Sequence, residues 1–91
     1  MITVKFFTTL RIYLGIGELA CPHVSTVGEL LDECEKRVSR PFLSKLLDST
    51  GTLMSGAIIL VNGQNIHHLH GLETELSDKD EIALFPPGGG G

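Results

Sequence analysis

The 91-residue sequence contains no tryptophan, a single tyrosine and only two cysteines. Cys21 and Cys34 are too few for the disulfide framework of a small secreted domain, and their spacing is not that of a metal-binding pair. Cys34 falls on an apolar helical stripe, where a thiol serves as a small buried hydrophobe. Long apolar runs are missing too. The longest unbroken aliphatic stretch is Ala57–Val61, far short of the roughly 20 residues that span a bilayer. No basic segment leading into an apolar stretch opens the chain, so no secretory leader is expected and a cytoplasmic location is.

Positive charge is scarce. Seven Lys and Arg against eleven Asp and Glu leave a net charge of −4. Up to Lys45 there are six basic and five acidic residues; from Leu46 onward Lys79 faces six acids, a balance of −5. That surface repels a phosphate backbone and suits a basic protein partner, so neither nucleic acid nor a membrane is expected as a ligand. What remains is one small domain with a thin core, since a chain of this length buries roughly 60–65% of its extended surface.

Met1–Phe7 alternates, with Ile2, Val4 and Phe6 on one face and Thr3, Lys5 and Phe7 on the other, which predicts a half-buried strand. Gly15 and Gly17 supply a turn, and Glu18–Val24 returns as a strand whose Pro22 places it at an edge. Thr26-Val27-Gly28-Glu29 has the form of a capping box. It opens a helix whose Val27, Leu30, Leu31, Cys34 and Val38 share one side. Pro41 ends that helix and opens a short second one, with Phe42, Leu43, Leu46 and Leu47 buried. Ser49–Gly56 reads as loop. Ala57–Val61 reads as a strand, Asn62-Gly63 as a hairpin turn and Gln64–Ile66 as the short return. Residues 67–76 are irregular and 77–80 form a turn. Glu81–Phe85 is the last strand, with Ile82 and Leu84 on one face and Ala83 and Phe85 on the other. The order β-β-α-(α)-β-β-β, with a right-handed crossover, predicts an α+β roll in which one main helix is grasped by a mixed sheet of four to five strands.

The chain closes on Phe85-Pro86-Pro87-Gly88-Gly89-Gly90-Gly91, which holds four of its eleven glycines. Glycines carry no side chain to bury and lose the most backbone entropy when ordered. Pro86-Pro87 resists folding back and reads as a short polyproline-like stem. A stiff stem with a side-chain-free tip can thread a narrow channel of another protein. It presents there only backbone and a terminal carboxylate. Residues 1–85 are thus expected to form the domain and 86–91 a flexible tail.

Asn62-Gly63, Leu72, Leu76, Asp78-Lys-Asp80-Glu-Ile-Ala-Leu-Phe85 and the Pro-Pro-Gly terminus together resemble the MoaD/ThiS ubiquitin-like sulfur carriers. The resemblance is strongest to the MoaD branch, the small subunit of molybdopterin synthase, and covers essentially the whole chain. Its pattern runs roughly VNG…L…L.DGDEVAxFPPxxGG. Phe85-Pro86-Pro87 falls on FPP, Gly88-Gly89 on the variable pair and Gly90-Gly91 on the terminal diglycine. Lys79 stands where that pattern has a turn glycine. The variable pair is Gly-Gly rather than Val-Ala-like, and residues 41–56 are longer than in compact members.

The resemblance implies a β-grasp fold. It also implies that the chain is a sulfur carrier and not itself an enzyme, with no catalytic residue and no bound cofactor. A ubiquitin-activating-type adenylyltransferase would use ATP to adenylate Gly91, a sulfur donor would convert it to a thiocarboxylate, and the sulfur would pass to a precursor on a larger synthase subunit. Pro86, Pro87, Gly88, Gly89 and Gly90 would occupy the partner's channel and Phe85 would anchor the interface; independently of the resemblance, Asp80 and Glu81, with Asp78 on the same turn, read as an acidic partner-facing rim rather than as paired catalytic carboxylates. Two other readings share the same sequence: a protein modifier that passes its activated glycine to a lysine amine, and a β-grasp interaction module with an inert tail.

Two weaker constellations complete the reading. His67-His68-x-His70 suggests a metal, but adjacent histidines on an extended segment point apart and no fourth ligand is suitably spaced, so none is expected. Lys36, Arg37, Arg40 and Lys45 form a basic group, but Glu33 and Glu35 interleave with it and aromatic support is sparse, so it does not read as a nucleic-acid surface.

Overall fold

The computed structural model describes residues 1–88. Its elements are β1 (Ile2–Phe6), α1 (Thr8–Leu14), β2 (Glu18–Cys21), α2 (Val27–Arg37), β3 (Ile58–Val61), β4 (Gln64–Asn65) and β5 (Glu81–Phe85). Single 3-10 turns occupy Leu43–Lys45, Ile66–His68 and Gly71–Glu73. The sheet order is β2-β1-β5-β3-β4. β1 and β5 are parallel, and the other pairings are antiparallel. The protein is a β-grasp domain with a mixed five-stranded sheet, as the sequence predicts.

The core lies on one sheet face. Alternation along β1 buries Ile2, Val4 and Phe6, and the same parity on β5 buries Ile82 and Leu84. Ile59 and Val61 of β3 face the same way, and α2 covers them all with Val27, Leu30, Leu31 and Cys34. The Cys34 Sγ lies 3.4 Å from that of Cys21. Both residues are buried, and burial followed by the neighbouring thiol pushes the Cys34 pKa up, so this pair packs as hydrophobes.

α2 begins as its cap predicts. Thr26 Oγ1 accepts from the Glu29 N–H at 3.2 Å. The Glu29 carboxylate reaches back to the Ser25 N–H at 3.0 Å, one residue earlier than in the usual reciprocal box. The helix stops at Arg37, short of Pro41, and Val38 is its half-buried C-cap. The expected second helix is a single 3-10 turn. Its two leading N–H groups, Phe42 and Leu43, donate to the Glu35 carboxylate at 2.8 and 2.9 Å, so a side chain of α2 starts the turn rather than Pro41. Phe42 and Leu46 are fully buried there, and Leu43 and Leu47 partly so.

The remaining elements show where expectation and structure agree and where they part. β2 ends at Cys21, before Pro22 rather than after it, and it does lie at the sheet edge. The Asn62-Gly63 turn forms with φ of 50° and 85°, joining β3 to a two-residue β4. The largest difference is α1, a helix between β1 and β2 where the sequence predicts only a turn. Among the described residues no helix is long and apolar enough to cross a membrane.

Candidate functional site

The tail leaves from the end of β5, so the site is built from what surrounds that end. β1 and β5 pair in parallel with Phe6 opposite Leu84, so the next residues, Phe7 and Phe85, fall side by side on the face away from α2. Their rings stack at a centroid distance of 4.5 Å and an interplanar angle of 10°. The Phe7 N–H donates to the Leu84 carbonyl at 3.1 Å and carries the parallel pairing one residue beyond the strand. On the other side Ile58 of β3 sits directly across from Phe85, and Leu60 across from Ala83. Ile58 is 40% exposed and both phenylalanines are half-buried. The outer face at this end is therefore an open apolar cluster of Phe7, Phe85 and Ile58, flanked by Ala83 and Leu60.

The backbone at the root is shaped for it. Thr8, the first residue of α1, has φ of 52°, a left-handed conformation unusual for a β-branched residue. Such outliers persist where surrounding structure holds them, often at interaction sites. Pro86 is buried and Pro87 half-buried, so the prolines are seated against the domain before any stem projects. Gly56 makes room for them. A Cβ there would stand 3.2 Å from the Pro87 Cβ, and its φ of 88° disfavours any side chain. The chain then turns at Pro87–Gly88, with Gly88 at φ 68°; proline followed by a left-handed glycine suits a type II turn. The expected modified end, Gly91, and its neighbours Gly89 and Gly90 lie outside the described residues.

The remaining expected contact residues do not join this cluster. Asp80 and Glu81 stand at the opposite end of β5, about 13 Å away along the strand at the usual rise per residue. Asp80 uses both carboxylate oxygens internally, accepting from Asn62 Nδ2 at 2.9 Å and from the Ser77 N–H at 2.7 Å. Glu81 shares the outer face with Phe85 and pairs with Lys5 at 3.3 Å. His67, His68 and His70 are exposed. Among the described residues no group of three or more His, Cys, Asp or Glu is placed to hold a metal.

Sequence reasoning missed Phe7 and Ile58 as members of the cluster. The signal for Phe7 was present: strand alternation puts this aromatic on the face opposite the core. Ile58 was hidden in an uninterrupted aliphatic run, which does not reveal which side of the sheet each residue takes.

Comparison with known proteins bears on what this end of the molecule is for. The ThiS family matches residues 4–91. Small archaeal modifier protein 3 of Haloferax volcanii is 32% identical over 89 residues, covering 96% of this chain and 95% of its own. The solution structure of small archaeal modifier protein 1 from Methanosarcina acetivorans superposes with a TM-score of 0.78 at 36% identity, covering 99% of this chain and 95% of that one. The crystal structure of the BexX/CysO complex of Amycolatopsis orientalis gives a TM-score of 0.82 at 27% identity, with full coverage of both chains.

Proposed function

The chain belongs to the ThiS family of ubiquitin-like sulfur carriers and small modifiers, and we propose that it carries sulfur as a thiocarboxylate on its C-terminal Gly91. The supporting observation is that the family match runs through residue 91 and so takes in the whole Phe85-Pro-Pro-Gly-Gly-Gly-Gly terminus.

A carboxylate is a poor acyl donor because it must expel oxide. A ubiquitin-activating-type adenylyltransferase that binds ATP joins the Gly91 carboxylate to AMP and releases pyrophosphate. A sulfur nucleophile from the donor then displaces AMP. A glycine at the attacked carbon offers the least hindrance. The catalytic groups belong to the partners; this domain is the non-enzymatic carrier, it binds no cofactor itself and it works in the cytoplasm. Pro86 and Pro87 set the direction in which Gly88, Gly89 and Gly90 enter the partner's channel. Phe85, with Phe7 and Ile58, forms the apolar anchor, and covering such a cluster is what hot-spot residues do. Asp80 and Glu81 mark the acidic rim at the far end of the strand. The acceptor is a precursor on a larger synthase subunit, and the Phe-Pro-Pro root favours molybdopterin biosynthesis over other sulfur-transfer routes.

One observation favours a second reading. The Haloferax relative is named as a modifier, and the same activated glycine could pass to a lysine amine as an isopeptide. Intact-mass spectrometry after incubation with the host's activating enzyme, ATP and a sulfur donor separates the readings. The expected result is exchange of one oxygen for one sulfur at Gly91. Thiol-resistant, higher-mass conjugates in lysate would assign the chain to protein modification instead. No change, with an enzyme competent on another carrier, would overturn both. Deleting Gly90 and Gly91 should abolish transfer and leave the melting curve of the domain unchanged.

A further inference from the structure

α1 starts at the tail end of the sheet, because Phe7, its N-cap, stacks on Phe85. Ile12 on this helix is 81% exposed, the most exposed large hydrophobic side chain among the described residues. The adjacent Tyr13 gathers two cations: the Arg40 guanidinium carbon stands 4.0 Å from its ring centroid and the Lys45 ammonium 4.4 Å. Hydrogen bonds hold this arrangement. The Tyr13 hydroxyl donates to the Pro41 carbonyl at 2.6 Å, and Arg40 Nη1 donates to the Tyr13 carbonyl at 3.3 Å.

The electron-rich ring attracts each cation without neutralising it. No carboxylate among the described residues pairs with either. Among the described residues the ion pairs are the N-terminus with Asp78, Lys5 with Glu81 and Arg37 with Glu33. Glu35, the nearest acid in sequence to Arg40, already accepts from the Phe42 and Leu43 N–H groups. Beside the pair, Thr9, Ile12, Tyr13 and Lys45 line an open depression of about 280 Å³.

We infer that the Ile12, Tyr13, Arg40 and Lys45 surface is a second docking element that takes an acidic segment of the activating enzyme, its carboxylates on Arg40 and Lys45 and an aliphatic side chain against Ile12. The pair of unneutralised cations calls for carboxylates, and the exposed isoleucine beside them calls for an apolar neighbour, a combination that a protein segment supplies. A nucleic acid fits poorly, since the chain is acidic overall. The inference rests on the carrier reading for its partner. The tail root and this surface adjoin, so a protein that handles the tail reaches both.

The test measures association of the full chain with its host's activating enzyme by stopped-flow, across a salt series. Charge reversal in the double variant Arg40→Glu, Lys45→Glu should slow association about tenfold at low salt and flatten its salt dependence, with a smaller change in dissociation. The charge-keeping exchange Arg40→Lys, Lys45→Arg should restore most of the rate. Ile12→Ser should instead quicken dissociation, and melting curves check that each variant is folded. Wild-type association by the charge-reversed variant, alongside weakened binding by Phe85→Ala, would overturn this inference and leave the carrier reading standing. Absence of any binding or adenylation of the wild-type chain would overturn both. Inhibition by inorganic phosphate beyond that of chloride at equal ionic strength would give the cations to a free anion, and the inference would fail.

Discussion

The two ends of β5 are finished in opposite ways. At its start, polar groups close on one another. Asn62 Nδ2 donates to Asp80 at 2.9 Å, the Glu81 N–H donates to Asn62 Oδ1 at 2.9 Å, and the Asn62 N–H donates to the Glu81 carbonyl at 2.8 Å. The Thr3 and Lys79 N–H groups tie the same turn to β1, and the N-terminal ammonium rests on Asp78. At its finish, Phe85, Phe7 and Ile58 present carbon to solvent. The first end is satisfied within the chain and fixes the strand's register. The second gains only when something covers it, because burying apolar surface is favourable and non-directional. One strand thus divides the work: its beginning is closed within the fold and its end is left open to be covered.

The contrast predicts separable effects. Neighbouring residues near the finish of β5 should differ most. Leu84→Ala removes a fully buried side chain and should cost about 3 kcal/mol of stability, read from denaturant midpoints. Phe85→Ala should cost less stability but weaken partner binding by about 2 kcal/mol, roughly 30-fold, in calorimetry. Equal stability losses at the two positions would mean that this end is ordinary core. At the start of the strand, Asp80→Ala strips two hydrogen bonds from the turn and should lower stability by about 1–2 kcal/mol, with a smaller loss of partner affinity than Phe85→Ala.

A smaller effect of opposite sign is expected at Lys79. It holds φ at 73°, and Lys79→Gly should raise stability by about 1 kcal/mol in thermal melts. The smallest effect depends on pH. The hydrogen bond from the N-terminal ammonium holds the Asp78 carboxyl below its ordinary 3.8. A depressed native value means that the contribution is fully present above pH 3.8 and is lost as pH falls through the lower value. Asp78→Asn should therefore narrow its gap from wild type only in acid, as followed by circular dichroism at graded pH.

The elements legible in the sequence are those whose signals are local. The Thr26 cap, the stripe of α2 and the Asn62-Gly63 turn each lie within a few residues and appear where expected. Lys79 stands at a glycine position of the family pattern, and its positive φ shows what that position demands. α1 was not legible. Only Leu10 and Leu14 are buried along its seven residues, one repeat that sets no period, and Gly15 just beyond it reads equally well as a loop residue. The site was half legible. Phe85 could be placed beside the tail from strand parity, but its stacking on Phe7 depends on a parallel register between strands more than seventy residues apart in sequence. Neither strand encodes that register alone. The Tyr13 cluster is hidden for a similar reason: in sequence its cations read as a basic group, while their aromatic partner sits in a helix whose own pattern is too short to read.

The placement of β5 between β1 and β3 also has a consequence for synthesis. Until the ribosome has released residues 81–85, β1–β2 and β3–β4 are two ribbons with nothing between them, each exposing an unpaired edge. Isolated two-stranded ribbons are marginal in water, and bare edges invite wrong pairings. The nascent chain therefore gains its fold in one late step, when the strand bearing the tail root slides into the gap. A chain cut short before that strand would lack both the closed sheet and the tail root, so it would not compete with the finished domain for a partner.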